Sequence, residues 1–166
     1  KHFLVLLNRG LIPLRPGVIR LIQELRFAKI EIAIATNTTP ENVTTLLKST
    51  LGEDSLSWFS VIAAGNIVPK KKPAPDIYLW TLEYLGLQAQ QCIAIEDSEC
   101  GLKSALAAGL DTVVTVNSYT EKQDFTDASI VLSDLGEPSE PFSVLSGQAH
   151  GNKLVNVKML NNISTQ

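Results

Sequence analysis

Cysteine is scarce in this 166-residue chain: Cys92 and Cys100 are the two present. They are too few for a disulfide scaffold and lack the spacing of metal ligands. A reducing cytoplasm or plastid stroma suits such a chain. Basic charge is also short. Fourteen Lys and Arg against seventeen Asp and Glu leave a net charge of −3, so no broad positive field exists to hold a nucleic-acid backbone. No apolar run nears the roughly 18 residues that span a bilayer, and no signal-peptide pattern opens the chain. The sequons at Asn37, Asn42 and Asn162 read as chance matches without one. There is no internal repeat and no G-x-G-x-x-G. What remains is 45% hydrophobic and 19% charged, a globular composition at a one-domain length.

Hydrophobic periodicity orders the chain. Residues 2–8, H-F-L-V-L-L-N, form a short apolar run that periodicity cannot assign to strand or helix. Pro16-Gly17 opens a helix to residue 27, with Val18, Ile19, Leu21, Ile22 and Leu25 spaced three and four apart. The run I-E-I-A-I-A at 30–35 reads as a strand. Thr39 as N-cap with Pro40 at the first helical position starts a helix to Leu51, stopped by Gly52. Further strands are expected at 60–64, 92–95, 112–116 and 130–132. Helices are expected at 76–85, with Tyr78, Leu79, Leu82 and Leu85 on one side, and at 98–108. Strands alternating with helices imply a layered α/β fold with a parallel sheet. After Gly136 the pattern decays, and 137–166 reads as a tail or loose appendage.

In parallel sheets ligands bind beyond the carboxyl ends of the strands. Three polar groups stand there: Thr36-Asn37, Lys72 within K-K-K-P-A-P-D, and Glu96-Asp97-Ser98 after C-I-A-I. Each alone has an ordinary structural role, as a turn, a solvated loop or a helix N-terminus. Together they supply what a phosphoryl group needs. A hydroxyl and strand-end amides can hold its oxygens, a cation can offset its charge, and carboxylates suit a hard divalent ion such as Mg²⁺. Neighbouring residues on a strand point to opposite faces. Glu96 and Asp97 can therefore share an ion only if the strand has ended by Asp97. Asp97 is then the firmer metal ligand, with Glu96 bound directly or one layer out.

The order of these groups resembles the haloacid dehalogenase superfamily of phosphatases and phosphotransferases. I-A-I-A-T-N resembles its second motif, K-K-P-A-P-D-I-Y its third, and I-A-I-E-D-S-E-C-G-L-K-S-A-L-A-A-G-L its fourth. The runs L-R-P-G-V, V-I-A-A-G-N-I-V-P-K-K-K-P-A-P-D-I-Y and E-D-S-x-x-G are similar to the CbbY-like branch, beside the beta-phosphoglucomutases. The likeness spans residues 14–136. It implies a three-layer Rossmann-like core in which Thr36, helped by the Asn37 backbone, binds the phosphoryl group. Lys72 would bridge phosphate and nucleophile, next to a peptide bond before Pro73 that is cis in relatives. Glu96 and Asp97 would serve Mg²⁺. Gly101 and Gly109 would allow tight turns or close packing. The substrate class implied is a small phosphorylated metabolite. Sugar phosphates fit best, with xylulose bisphosphate-type inhibitors of carbon fixation as the branch suggests, acted on by a monomeric, soluble parent enzyme.

One part of the pattern is absent. The family's first strand ends in Asp-x-Asp-Gly-Thr, whose first Asp is the nucleophile, and no such motif occurs here; the nearest piece is L-N-R-G at 7–10. Most of the helical cap is absent too. Residues 1–13 are expected to be a remnant of its last helix, with insertion of 3–7 into the missing strand's place as the other possibility. The expectation is thus a core at 14–136 without its nucleophile strand, two unpaired strand edges, and no activity from this chain alone. A phosphate-moving mutase is the second reading and an inactive binding module the third. A signalling receiver domain, which also gathers acids, Thr and Lys, fits the order poorly: its acids come first and its Lys last.

Overall fold

The computed structural model describes residues 13–163. The expectations for 1–12, including the cap-remnant helix and the alternative strand, lie outside them. In chain order the elements are α1 (Val18–Phe27), β1 (Ala33–Thr36), α2 (Pro40–Leu51), β2 (Val61–Ala64) and α3 (Asp76–Leu85). There follow β3 (Ile93–Glu96), α4 (Glu99–Ala107), β4 (Asp111–Thr115), β5 (Ile130–Leu132), β6 (Val144–Gly147) and α5 (Val157–Ile163). Short 3₁₀ turns lie at Glu53–Trp58 and Ala89–Gln91.

Among the described residues the strands form two sheets: β1 pairs with β2 in parallel, and a second sheet runs β3-β4-β5-β6. In the second, β3, β4 and β5 are parallel and β6 antiparallel. Helices cover both faces, which is why the strands are apolar on both sides rather than alternating. On one face α3 and α4 bring Ile77, Tyr78, Leu82, Ala105 and Ala108 against Ala63 of β2 and Ala94 of β3. On the other, α1 and α5 bring Leu21, Met159 and Leu160 against Val113, Ile130 and Leu132, while α2 brings Val43 and Leu47 against β1 and β2. This is the three-layer α/β architecture with parallel strands that the pattern implied.

The first strand starts three residues later than expected. Lys29 takes a positive φ of 56° after α1, and Ile30 N–H still bonds back to Leu25 C=O. Residues 30 and 31 are thus spent leaving the helix; Ile32 C=O accepts from Ser60 N–H, and the paired register opens where Ala33 meets Val61. The apolar face of α3 is also rotated from expectation: Ile77, Tyr78, Thr81 and Leu82 are buried, and Leu79 is 48% exposed.

The larger correction concerns 137–166. Residues 137–163 pack onto the core and are no loose appendage. Phe142, Val155, Met159 and Leu160 are buried in the same cluster as Leu132, and β6 extends the sheet. Arg20 explains how. Its guanidinium donates to the carbonyls of Leu135, Gly136 and Val155, and Glu24 Oε1 accepts from Val157 N–H at the start of α5. Gly17 is required at this junction: at φ 82° its position leaves a side-chain carbon only 2.6 Å from Gly136 O. The segment lacks periodicity because its backbone is held by α1 side chains, a contact that local pattern does not encode.

Candidate active site

Three loops, beyond the carboxyl ends of β1, β2 and β3, converge on one buried ammonium. The loop before α3 turns through a cis peptide at Lys72-Pro73 and is fixed from two sides. Asn37 accepts from Lys72 N–H at 3.2 Å and its side-chain amide faces Lys72 C=O at 3.4 Å. Ser104 of α4 donates to Ala74 C=O at 2.7 Å. With its backbone pinned, the Lys72 side chain turns inward while Lys71 stays exposed.

Lys72 Nζ donates to Ala35 C=O at 2.9 Å and to Tyr78 Oη at 3.2 Å, and forms an ion pair with Glu96 Oε1. It also lies 4.5 Å from the centre of the Tyr78 ring, a cation–π distance. Both members of the ion pair are about nine-tenths buried. Tyr78 donates to the same Glu96 oxygen. Burial first, and the Glu96 carboxylate second, hold the Tyr78 hydroxyl far above its ordinary pKa, so it is a neutral donor. The other side of Glu96 rests on α4: a side-chain carbon at Gly101 would fall 1.9 Å from Glu96 Oε2. Only glycine lets the helix come this close.

Thr36 ends β1 next to the carbonyl that Lys72 holds. Its Oγ1 accepts from Thr38 N–H at 3.1 Å, which leaves its own proton to donate. β3 ends at Glu96, so Asp97 lies beyond the strand and is exposed. Ser98 then caps α4 by accepting from Gly101 N–H. The structure therefore brings Thr36, Asn37, Lys72 and Glu96 together and sets Asp97 at the edge of the group.

The residues fit Mg²⁺ in part. Glu96 is committed to Lys72 and Tyr78, and Asp97 offers a free-standing carboxylate. Among the described residues no group of three or more His, Cys, Asp or Glu could hold a metal ion. Mg²⁺ keeps several waters and accepts as few as one or two carboxylates when phosphate oxygens complete its shell. Asp97 suits that arrangement as a direct ligand, and Glu96 suits the layer behind it.

Sequence reasoning missed Tyr78 as a site residue, counting it with the apolar face of α3. The signal was available: a tyrosine on a buried face must give its hydroxyl a partner, and the nearest charged groups in this fold are Lys72 and Glu96.

A family profile described as haloacid dehalogenase-like hydrolase matches residues 3–109. The chain belongs to this family. Among curated relatives, protein CbbY from Cupriavidus necator is 46% identical over 151 residues, covering 90% of this chain and 59% of its own length. A phosphorylated carbohydrates phosphatase from Thermotoga maritima is 30% identical over 131 residues, covering 78% of this chain and 58% of its own. A crystal structure of CbbY from Rhodobacter sphaeroides in complex with xylulose-(1,5)bisphosphate superposes with a TM-score of 0.77 at 39% identity. That match covers 82% of this chain and 62% of the other. The chain thus spans about three-fifths of the length of these relatives. No helix among the described residues is long and apolar enough to cross a membrane.

Proposed function

We propose that this haloacid dehalogenase-family chain carries the phosphate-binding half of a Mg²⁺-dependent phosphatase that acts on phosphorylated sugars. The observation behind this reading is the Lys72 ammonium, held at the carboxyl ends of β1 and β3 between Thr36 and the Glu96-Asp97 pair. In it, the Thr36 hydroxyl and the Asn37 backbone bind phosphoryl oxygens. Lys72 offsets their charge, and Tyr78 and Glu96 keep Lys72 in place. Asp97 holds Mg²⁺, which when bound supplies further positive charge to the phosphoryl oxygens. The sugar is suggested by the relatives named above, one a carbohydrate-phosphate phosphatase and one bound to a sugar bisphosphate.

No Asp-x-Asp occurs among the 166 residues, and none of the residues at the site replaces a carboxylate nucleophile. The chain by itself is therefore expected to bind phosphate without turnover. Inorganic phosphate titrated with Mg²⁺ should shift the amide resonances of Thr36, Asn37 and Lys72, and Lys72→Met should abolish the shifts. Magnesium-dependent hydrolysis of an aryl phosphate by the chain alone would refute the inactivity. Phosphate shifts that ignore Lys72→Met would refute the site.

A further inference from the structure

The amino end of α4 is tied to a loop that lies outside the site described above. The opening N–H groups of a helix have no partner within it. Ser98 takes that of Gly101. The first, at Glu99, donates to the side-chain carbonyl of Gln123 at 2.8 Å. In return the Glu99 carboxylate accepts from Asp124 N–H at 3.3 Å.

That loop, residues 116–126 after β4, is held at three points. At its root Arg15 donates to the carbonyls of Thr115 and Val116 at 2.9 and 2.6 Å, and to Ser133 C=O at 2.6 Å. In its middle Thr120 is buried, and its hydroxyl accepts from Asn117 N–H at 3.1 Å. At its far end Phe125 packs against the cluster of Leu102, Val114 and Val131, and the Asp124 carboxylate closes a turn by accepting from Thr126 N–H and Oγ1. A loop fixed in this way can serve as an anchor for the helix it touches.

Asp97 stands between two anchored residues. Glu96 is fixed by Lys72, by Tyr78 and by the close approach of Gly101. Glu99 is fixed by Gln123 and Asp124. Asp97 itself is exposed, so its carboxylate is aimed by its backbone rather than by packing. We propose that Gln123 is a positioning residue for the Asp97 carboxylate: by holding Glu99 N–H it sets the backbone from which that carboxylate reaches Mg²⁺. The inference rests on the reading of Asp97 as the Mg²⁺ ligand given above. A carboxylate on a fixed backbone loses less freedom when the ion arrives. Gln123 acts through Glu99 and not by contact with the ion.

The test uses the full chain, with Mg²⁺ titrated at saturating inorganic phosphate and followed by the amide resonances of Asp97 and Ser98. Gln123→Met keeps the length of the side chain and removes its acceptor. It should weaken Mg²⁺ binding about three- to tenfold, as the loss of one hydrogen bond implies, and speed exchange of the Glu99 amide. Phosphate affinity without Mg²⁺ should stay at the parent value. Gln123→Glu keeps an acceptor and should keep both the Mg²⁺ affinity and the slow exchange. Asp97→Asn should remove Mg²⁺ binding and leave the Glu99 amide slow. Parent-level Mg²⁺ affinity in Gln123→Met, with binding lost in Asp97→Asn, overturns the positioning role and leaves the Mg²⁺ site standing. Equal weakening of Mg²⁺ and phosphate in Gln123→Met, or a Gln123→Glu chain as weak as Gln123→Met, also overturns the role, because the hydrogen bond is then not the cause. Mg²⁺ binding that survives Asp97→Asn, or no Mg²⁺ response in the parent, overturns the site and the inference together.

Discussion

β1 and β3 are near repeats in sequence, A-I-A-T and I-A-I-E, yet their surroundings differ sharply. β3 borders a four-stranded sheet whose neighbours Val113, Ile130 and Leu132 are at most 1% exposed. Among the described residues β1 has β2 as its one paired neighbour, Ala33 is exposed and the other three residues of β1 are half-buried, and the cluster beneath it holds three buried residues, Val43, Leu47 and Ala64. Two strands of one pattern thus gain unequal stability because burial is set by what lies beside them. The same unequal pair must cooperate, since Lys72 is anchored on a β1 carbonyl and a β3 carboxylate at once.

The strongest way to break that pairing is Glu96→Gln. It leaves the Lys72 ammonium nine-tenths buried with no counter-charge, a change that costs about 3–5 kcal/mol. Urea unfolding measures the total, and amide exchange locates it. Protection should fall further in β1 and β2 than in β4 and β5, because the weaker sheet relies more on the tie. A uniform loss would show that the two sheets open as one unit.

A second comparison sets the two cores against each other. Leu132→Ala, in the larger cluster, should cost about 3–4 kcal/mol, while Leu47→Ala, under the two-stranded sheet, should cost about 2 kcal/mol, because a cavity near the open side collapses more easily. Equal costs by equilibrium unfolding would mean that the smaller cluster is packed as rigidly as the larger one.

What the sequence revealed divides along the same line. The helix face of Leu21 and Leu25, the Thr39-Pro40 start of α2, and the strand at 130–132 follow from local spacing and agree with the structure. The meeting of Thr36, Lys72 and Glu96 was legible because Thr36 and Glu96 end strands and Lys72 lies in the loop that follows β2. Local pattern could not show Tyr78 turning its hydroxyl onto Glu96, or Arg20 holding the backbone of Leu135, Gly136 and Val155. Both contacts depend on which elements the fold stacks together. The docking of 137–163 was missed for that reason. Its buried apolar residues, Phe142, Val155, Met159 and Leu160, stand among exposed ones such as Val144 and Leu145, and they gather only on a core that is already formed.

The loss of a single hydrogen bond sharpens the view of how the two sides are held. Tyr78→Phe keeps the ring beside Lys72 and removes one hydrogen bond to a buried carboxylate, a loss of about 1.5–3 kcal/mol. It also changes the alkaline limb of stability. In the folded chain burial keeps the Tyr78 hydroxyl protonated well past its ordinary range, whereas in the unfolded chain it ionises near pH 10. Above that pH the unfolded state binds one proton fewer than the folded state at this residue, so stability falls as pH rises. The contribution is complete below about pH 10 and shrinks above it, by about 1.4 kcal/mol per pH unit for one proton. Tyr78→Phe should therefore be less stable than the parent at pH 7 and should lose stability less steeply between pH 10 and 11. Parallel slopes for the two proteins would show that Tyr78 titrates freely, which would remove it as the neutral donor that fixes Glu96 and, through it, the ammonium shared by β1 and β3.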